Sequence, residues 1–564
     1  MSRIPVGPLR VAVWLCACWL LVTSPGWAAD PGDRPGQADL DAAIDAKLGV
    51  AQLDDYAKVL ELCRQALRKG LDDDSKKFAE DLYTGTLIDR AAMLVEAIFA
   101  ARTPDEQWPR MRAFAMRDLD EVVDRDPRIG QAHLLIARLE ALPGGDRRRA
   151  AAAAAKALEL VGEDRLQKAK AHLVLGTLAE DRDERIEQYD AAVELAPRDV
   201  EVRRTRGLAL LVEDRFDKAR DDLVVASEED PDDASLFEAL GMACMMGDRL
   251  EDAEKAFDRA VELEPEATGV LLQRARVRAV RGAKDRSLAD IDKVLSIRPD
   301  DTAARTLRAR VHQQAGDTEK ALADLEEVLL ADPDTAPALE LRGLIAAERQ
   351  DYVAAIRDFR RLVARNADDP VLVAQLGTLY LAARQPREAI KRFTRALEID
   401  AENFPSRRGR SDAAISIGDH KAALADLEEA HTLRPDDTGV LNNLAWLLAT
   451  SPDDTLRDGR RAIGLARKAC EKTEWKEAHI VSTLAACHAE AGDFEAAKKF
   501  SRQAVELGAE AAEVKEQLQK ELASYEAGRP WRERQEIADA VLDARPKNAA
   551  AEPRAVKPRR PFDE

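Results

Sequence analysis

A 34-residue period constrains this chain more than any other feature. Residues 200–437 divide into seven consecutive units that start at Val200, Ala234, Thr268, Thr302, Ala336, Pro370 and Phe404, with no insertion between them. The eighth residue of each unit is small: Gly207, Gly241, Ala275, Ala309, Gly343, Gly377 and Ser411. The twentieth is Ala or Ser, from Ala219 to Ala423, and the twenty-fourth is large and apolar, as in Leu223, Phe257, Ile291, Phe359 and Phe393. Small residues at positions 8 and 20 let two helices of one unit cross closely. The large residue at 24 is expected to fill the space between that unit and the next. Pro231, Pro265, Pro299, Pro333 and Pro435 stand at position 32, where proline ends the second helix because it cannot continue one. Such a unit buries its apolar face only by stacking on its neighbours. The expectation is an all-α solenoid of antiparallel helix pairs.

This period and pattern resemble the tetratricopeptide repeat. The resemblance implies a right-handed superhelix with a concave groove that takes an extended peptide or a partner's helix. It names a class of function and no ligand. Three further stretches resemble exported bacterial proteins of this type: Leu142-Pro143-Gly144-Gly145-Asp146, Leu441 to Ala449, and Pro530-Trp531-Arg532 after Tyr525 and Gly528.

The flanks extend the array. Residues 1–28 read as a signal peptide, with Arg3 and Arg10 ahead of the apolar run Val11–Val22 and small residues Gly26 and Ala28 before the cleavage point. An uncleaved anchor is the alternative. Export would place the chain in the periplasm or cell envelope, or outside the cell. Residues 29–37 form a Pro/Gly linker, and 38–127 a helical N-terminal cap with an irregular first repeat. Residues 128–199 hold two degenerate units, the second shortened by three residues, with Asp181 to Glu184 as its tightened turn. After the regular array come 438–477, a unit whose turn is lengthened over Ser451 to Asp458, then 478–511, the last unit. Residues 512–532 form a capping helix, and 533–564 a flexible tail rich in Pro, Ala and Arg.

A formal charge of −20 repels phosphate backbones and argues against nucleic-acid binding. No stretch after the N-terminus has eighteen uninterrupted apolar residues, so no later membrane span is expected. Cys63, Cys244, Cys470 and Cys487 follow the signal segment. They make no disulfide framework by spacing, although Cys470 and Cys487 lie on successive helices where pairing stays open.

One pairing is hidden in the repeat. Position 7, normally Leu in the family resembled, is Arg206, Arg274, Arg308, Arg342 and Arg410 in five units. In the same five, position 23 is Asp222, Asp290, Asp324, Asp358 and Asp426. The other two units carry Leu240 with Ala256 and Leu376 with Arg392, so Arg and Asp occur together or not at all. Positions 7 and 23 lie on the two helices of one unit, which predicts a bidentate ion pair in each. Duplication of two solvated charges would give the same pattern. By the same logic Arg90 is paired with Asp118.

The resemblance assigns the groove to positions 2, 5, 9, 12 and 13 of each first helix. The candidate peptide-contacting residues there are Glu238, Met242, Met245, Leu272, Arg276, Thr306, Arg310, Gln313, Asn442 and Trp446, beside Met246. Methionines make an adaptable apolar surface, and guanidinium groups suit a carboxylate or backbone carbonyls. Half-buried packing and solvated charge is the competing account of the same residues. Asn443 matches one place of the family's carboxylate clamp, but the accompanying lysines are missing.

Signatures of catalysis are absent: there is no HExxH, GxSxG, P-loop or GxGxxG, and the seven histidines show no metal-ligand spacing. His312 and His488 stand where the family often has Tyr and are expected to pack. The reading is an exported scaffold or adaptor that binds a protein or peptide partner, with no catalysis, cofactor or metal of its own. The alternative is a small-ligand-binding or enzymatic helical module at 38–127 carried on the solenoid. Self-association through an uncapped end is a third reading.

Overall fold

Every one of the seven units folds as two helices at the same register. The first helix spans positions 1–13, as in Val200–Val212 and Ala336–Glu348, and the second positions 17–30, as in Phe216–Glu229 and Tyr352–Arg365. Residue 15 sets the turn between them, in the left-handed region at Asp214, Asp248, Gly282, Gly316, Gln350, Arg384 and Gly418. This reversal lets the residue-16 amide bond back to the carbonyl of residue 11, as in Arg215 N–H to Leu210 O (2.9 Å) and Gln385 N–H to Tyr380 O (2.8 Å), which satisfies a carbonyl the helix end would leave unpaired. Entry into the next first helix is capped by the position-34 side chain, with Asp199, Asp233, Asp301, Asp369, Asn403 and Asp437 accepting backbone N–H bonds.

The computed structural model describes residues 35–100, 107–508 and 512–533. Among these the chain forms twenty-seven α-helices and no strand. The signal segment lies outside the described residues, as does the tail beyond Glu533. The chain divides into two bodies, Met1–Pro265 and Glu266–Glu564.

In the first body, helices Gln37–Leu48, Leu53–Lys69, Asp73–Ala100 and Trp108–Arg125 precede the pairs Gly130–Glu140 with Arg147–Leu160 and Arg165–Leu178 with Arg182–Leu195. One apolar core runs from Ala43 through Val59, Leu87, Ile98 and Leu119 to Val174. The segment 38–127 is therefore packed into the stack. Its buried Tyr83 hydroxyl accepts from Arg64 (2.8 Å) and donates to Glu121 (3.0 Å), a satisfied core tyrosine. The shortened turn is tighter than the sequence suggested. Asp181 caps Arg182–Leu195 by accepting from the Asp183 and Glu184 amides, so those two residues already belong to the helix.

In the second body the unit after the regular array departs from the pattern for a local reason. Its residue 15 is Pro452, whose ring holds φ near −65° and forbids the left-handed turn. The chain instead runs through a short 3₁₀ turn at Asp454–Leu456 before Gly459–Lys472 begins. Asp458 N–H then reaches Leu448 O at 2.9 Å. Ala478–Glu490, Phe494–Leu507 and Ala512–Glu526 complete the body. Leu518 and Tyr525 of the last helix are buried in the core that begins at Phe404.

The position-24 side chain packs within its own unit as well as toward the next, which extends the expectation that it fills the gap between them. A methyl group on Gly241 would lie 2.5 Å from Phe257, and one on Gly377 2.8 Å from Phe393. Phe393 also lies against Gly409 of the following unit. Aromatic bulk at 24 and glycine at 8 are therefore one steric solution.

Candidate functional site

The five arginines at position 7 each meet the aspartate of their unit through two bonds. Nε and Nη2 reach the two carboxylate oxygens at 2.6 and 2.7 Å for Arg206–Asp222, 3.0 and 2.6 Å for Arg274–Asp290, and 2.9 and 2.7 Å for Arg308–Asp324. For Arg342–Asp358 the distances are 2.7 and 2.8 Å, and for Arg410–Asp426 2.8 and 2.7 Å. Arg90 and Asp118 match them at 2.7 Å twice. The aspartates are buried, with Asp358 fully so, while the arginines keep an edge in solvent. Hydrogen bonds to the carboxylates raise the pKa of Arg308 and Arg410 above the ordinary guanidinium value.

The third partner was not foreseen. Arg206 Nη1 also bonds Asp190 (2.8 Å), Arg308 Nη1 bonds Asp292 (2.9 Å), and Arg410 Nη1 bonds Thr394 (3.2 Å). All three partners stand at position 25 of the preceding unit, sixteen residues before the arginine. The arginine thus ties its own second helix to the one before it. The signal was in the sequence: Val224 and Arg360 occupy that place ahead of the two units that have Leu240 and Leu376. Beside Arg206 a cleft of about 510 Å³ is lined by Arg203, Arg215, Lys218, Asp190 and Asp222. Arg203 and Arg206 are already paired with its carboxylates.

The proposed groove residues separate by register. Position 5 is largely covered: Leu272, Thr306 and Asn442 are buried, which corrects their assignment as open contacts. The fifth residue leans toward the N-terminus of the next first helix, as Arg204 shows with Asp233 (3.3 Å) and Arg408 with Asp437 (3.9 Å). Thr306 spends its hydroxyl on Thr302 O at 2.7 Å. Asn442 Nδ2 donates to Asn443, while its buried Oδ1 has no protein partner. Asn443 itself donates to Asp412 at 2.9 Å, whose carboxyl is pushed up by burial. Glu238, Met242 and Met245 are half-buried, and Arg276 and Arg310 are exposed. Gln313 donates to Glu348 of the next unit at 3.1 Å.

Positions 9, 13 and 2, already assigned to the groove by the resemblance, carry exposed apolar residues besides the methionines named above. Of ten exposed large apolar side chains between residues 200 and 437, six fall there: Leu208, Val212 and Met246 in the first body, and Val280, Leu344 and Val371 in the second. Those places are a small fraction of a unit, so the exposure is concentrated on the first-helix face.

Trp446 requires a different correction. Its indole N–H donates to the Glu533 carboxylate at 2.9 Å, so this place on the face is filled by the segment that follows the last described helix. Glu533, expected to open the flexible tail, is held there. Cys63, Cys244, Cys470 and Cys487 are buried free thiols. Cys470 and Cys487 each donate to a backbone carbonyl, Ile480 O and Ala445 O, at 3.7 Å. Burial pushes the Cys63 and Cys470 thiols up to about 11, which suppresses the thiolate that reaction needs. His312 and His488 are buried, and His488 stacks on Phe500 with centroids 5.4 Å apart. Among the described residues no group of His, Cys, Asp and Glu is arranged to hold a metal ion, and no helix is long and apolar enough to cross a membrane.

Residues 239–302, 306–370 and 375–438 match the family model described as tetratricopeptide repeat. No curated protein matches the chain. Among solved structures, it is similar to a tetratricopeptide repeat protein from Parabacteroides merdae ATCC 43184 at 16% identity, over 43% of this chain and 97% of that one, with a TM-score of 0.35. It is similar to YrrB, titled a TPR protein with an unusual peptide-binding site, at 25% identity over 34% and 97% with a TM-score of 0.31. It is also similar to yeast Tom70, at 13% identity over 78% and 96% with a TM-score of 0.37.

Proposed function

We propose that this chain, which carries tetratricopeptide repeats over residues 239–438, is an exported scaffold that binds a protein or peptide partner on its first-helix face, without catalysis of its own. The observation that carries this reading is the concentration of exposed apolar side chains at positions 2, 9 and 13. Exposed apolar surface gathered on the first helices within each body favours a partner. Arg276 and Arg310, exposed at position 9 of successive units, supply cations suited to a partner's carboxylates or carbonyls. Export rests on Arg3, Arg10, the Val11–Val22 run and Ala28, and predicts a mature chain beginning at Ala29.

The test is a crosslinking pull-down from the cell envelope with the mature chain as bait, beside an Arg276→Ala/Arg310→Ala variant. A partner lost only with the variant supports an adaptor whose site lies on the central first-helix face. A partner kept by both moves the site elsewhere, and no partner from either sinks the reading.

A further inference from the structure

The last turn of the helix Thr438–Thr450, on the first-helix face, is already occupied. After the helix Ala512–Glu526, Gly528 turns the chain with φ +65°, and the residues that follow run back onto the helix Thr438–Thr450. Arg532 Nη1 donates to Ala449 O at 3.2 Å, and Glu533 N–H donates to Thr450 O at 2.9 Å. The Glu533 carboxylate takes the Trp446 indole N–H, and Arg532 Nη2 lies 2.6 Å from the Glu490 carboxylate. Trp446, Ala449 and Thr450 are positions 9, 12 and 13 of their unit, the places that elsewhere in the array carry Met242, Met245 and Met246 or Arg310 and Gln313.

We propose that this turn is a binding site for an extended segment in which a cationic residue is followed by an acidic one, and that Arg532-Glu533 is its tethered, displaceable occupant. The inference rests on the reading of this face as a peptide-binding surface. The chemistry of the site selects the sequence. The final carbonyls of a helix lack intrahelical donors and carry the negative end of its dipole. Glu490, whose other oxygen takes Arg457 Nε at 2.9 Å, adds a carboxylate beside them, so this end takes a second cation. Trp446 offers only a donor, so its neighbour takes a carboxylate. The site therefore reads opposite charges in a fixed order, with the main-chain bond from Glu533 N–H to Thr450 O setting the direction.

The occupant is built like a ligand more than a structural element. The core is closed by the preceding helix, through the buried Leu518 and Tyr525. Trp531 packs against that core, whereas Arg532 and Glu533 are half-exposed and outside it. Tethering gives the segment a high effective concentration, so a free segment of the same chemistry competes poorly until the tether's contacts are weakened. The site is held shut against weak ligands and yields to one with further contacts along the face.

A fluorescently labelled peptide of residues 528–537, titrated into the mature chain and read by anisotropy, tests this. An Arg532→Ala/Glu533→Ala chain, which keeps Trp531 and the capping helix, is expected to bind the peptide at least tenfold more tightly than the unsubstituted chain. A peptide carrying the same two alanines is expected to lose that binding. Equal binding by the two chains, or none by either, overturns the proposal. A second measurement needs no variant: hydrogen exchange of the Glu533 amide in the unsubstituted chain. Millimolar free peptide should speed that exchange, and an unchanged rate would count against displacement. A partner that depends on Arg276 and Arg310, with no peptide exchange at Trp446, would sink this inference alone and leave the scaffold reading standing.

Discussion

Replacing Arg342 by leucine should unfold its unit more readily than replacing Arg342 and Asp358 together. Asp358 is fully buried and takes bonds of 2.7 and 2.8 Å from Arg342. Its other cation, Arg357, lies at 3.3 Å with a largely exposed side chain. Arg342→Leu therefore strands a buried carboxylate, a change that costs about 3–5 kcal/mol. Asp358→Ala strands only an arginine that keeps an edge in solvent and can extend into water, so about 1–2 kcal/mol is expected. The double variant Arg342→Leu/Asp358→Ala recreates the combination Leu240 with Ala256 that the array already uses, and should fall within about 1 kcal/mol of the parent. The singles then sum to about 4–7 kcal/mol, far above the double, and the coupling is the signature of the pair. The assay is urea unfolding of residues 29–564 followed by circular dichroism. Repeat arrays unfold in segments, so hydrogen exchange in Ala336–Glu348 and Tyr352–Arg365 should accompany it. A double variant as unstable as Arg342→Leu, or worse, would refute the reasoning.

Two further outcomes follow from local geometry. Arg384 sits in the left-handed region at φ +57° where three other units have glycine; since that conformation costs a side-chain-bearing residue about 1–2 kcal/mol, Arg384→Gly should gain about 0.5–1 kcal/mol after glycine's own entropy cost. A lower melting temperature would contradict this. Burial raises the pKa of Glu521, which accepts from Ser482 and from Gln517 (3.1 Å). A carboxyl with a raised folded pKa contributes fully below its unfolded value of about 4.3 and loses that contribution as pH rises through the folded value. Glu521→Gln should therefore melt higher than the parent at pH 7, with the gap narrowing toward pH 4.5; a gap that widens on acidification would show that the charged form is favoured.

The repeat made most of the fold legible, and the reason is physical. In a stacked array each contact recurs at a fixed offset, so the small residue at 8, the bulky one at 24 and the Arg–Asp pair are visible as columns in the sequence. Pro452 likewise announces its own lengthened turn, because proline cannot adopt the left-handed conformation used by Gly282 or Gly418. The candidate surface was less legible. Leu272, Thr306 and Asn442 share the face by helical spacing, yet the next first helix covers position 5 and leaves 9 and 13 open, and spacing along one helix says nothing of a neighbour's coverage.

The amino-acid sequence alone determined the helix pairs, their order and the partners within each unit, since these depend on contacts between nearby residues that repeat. Tertiary structure decided how neighbouring units meet and how the array ends. The bonds from Arg206, Arg308 and Arg410 to the preceding unit depend on how successive second helices align. The meeting of Glu533 with Trp446, 87 residues apart, depends on where the final helix delivers the chain. No column of the repeat encodes that meeting, because the end of an array occurs only once.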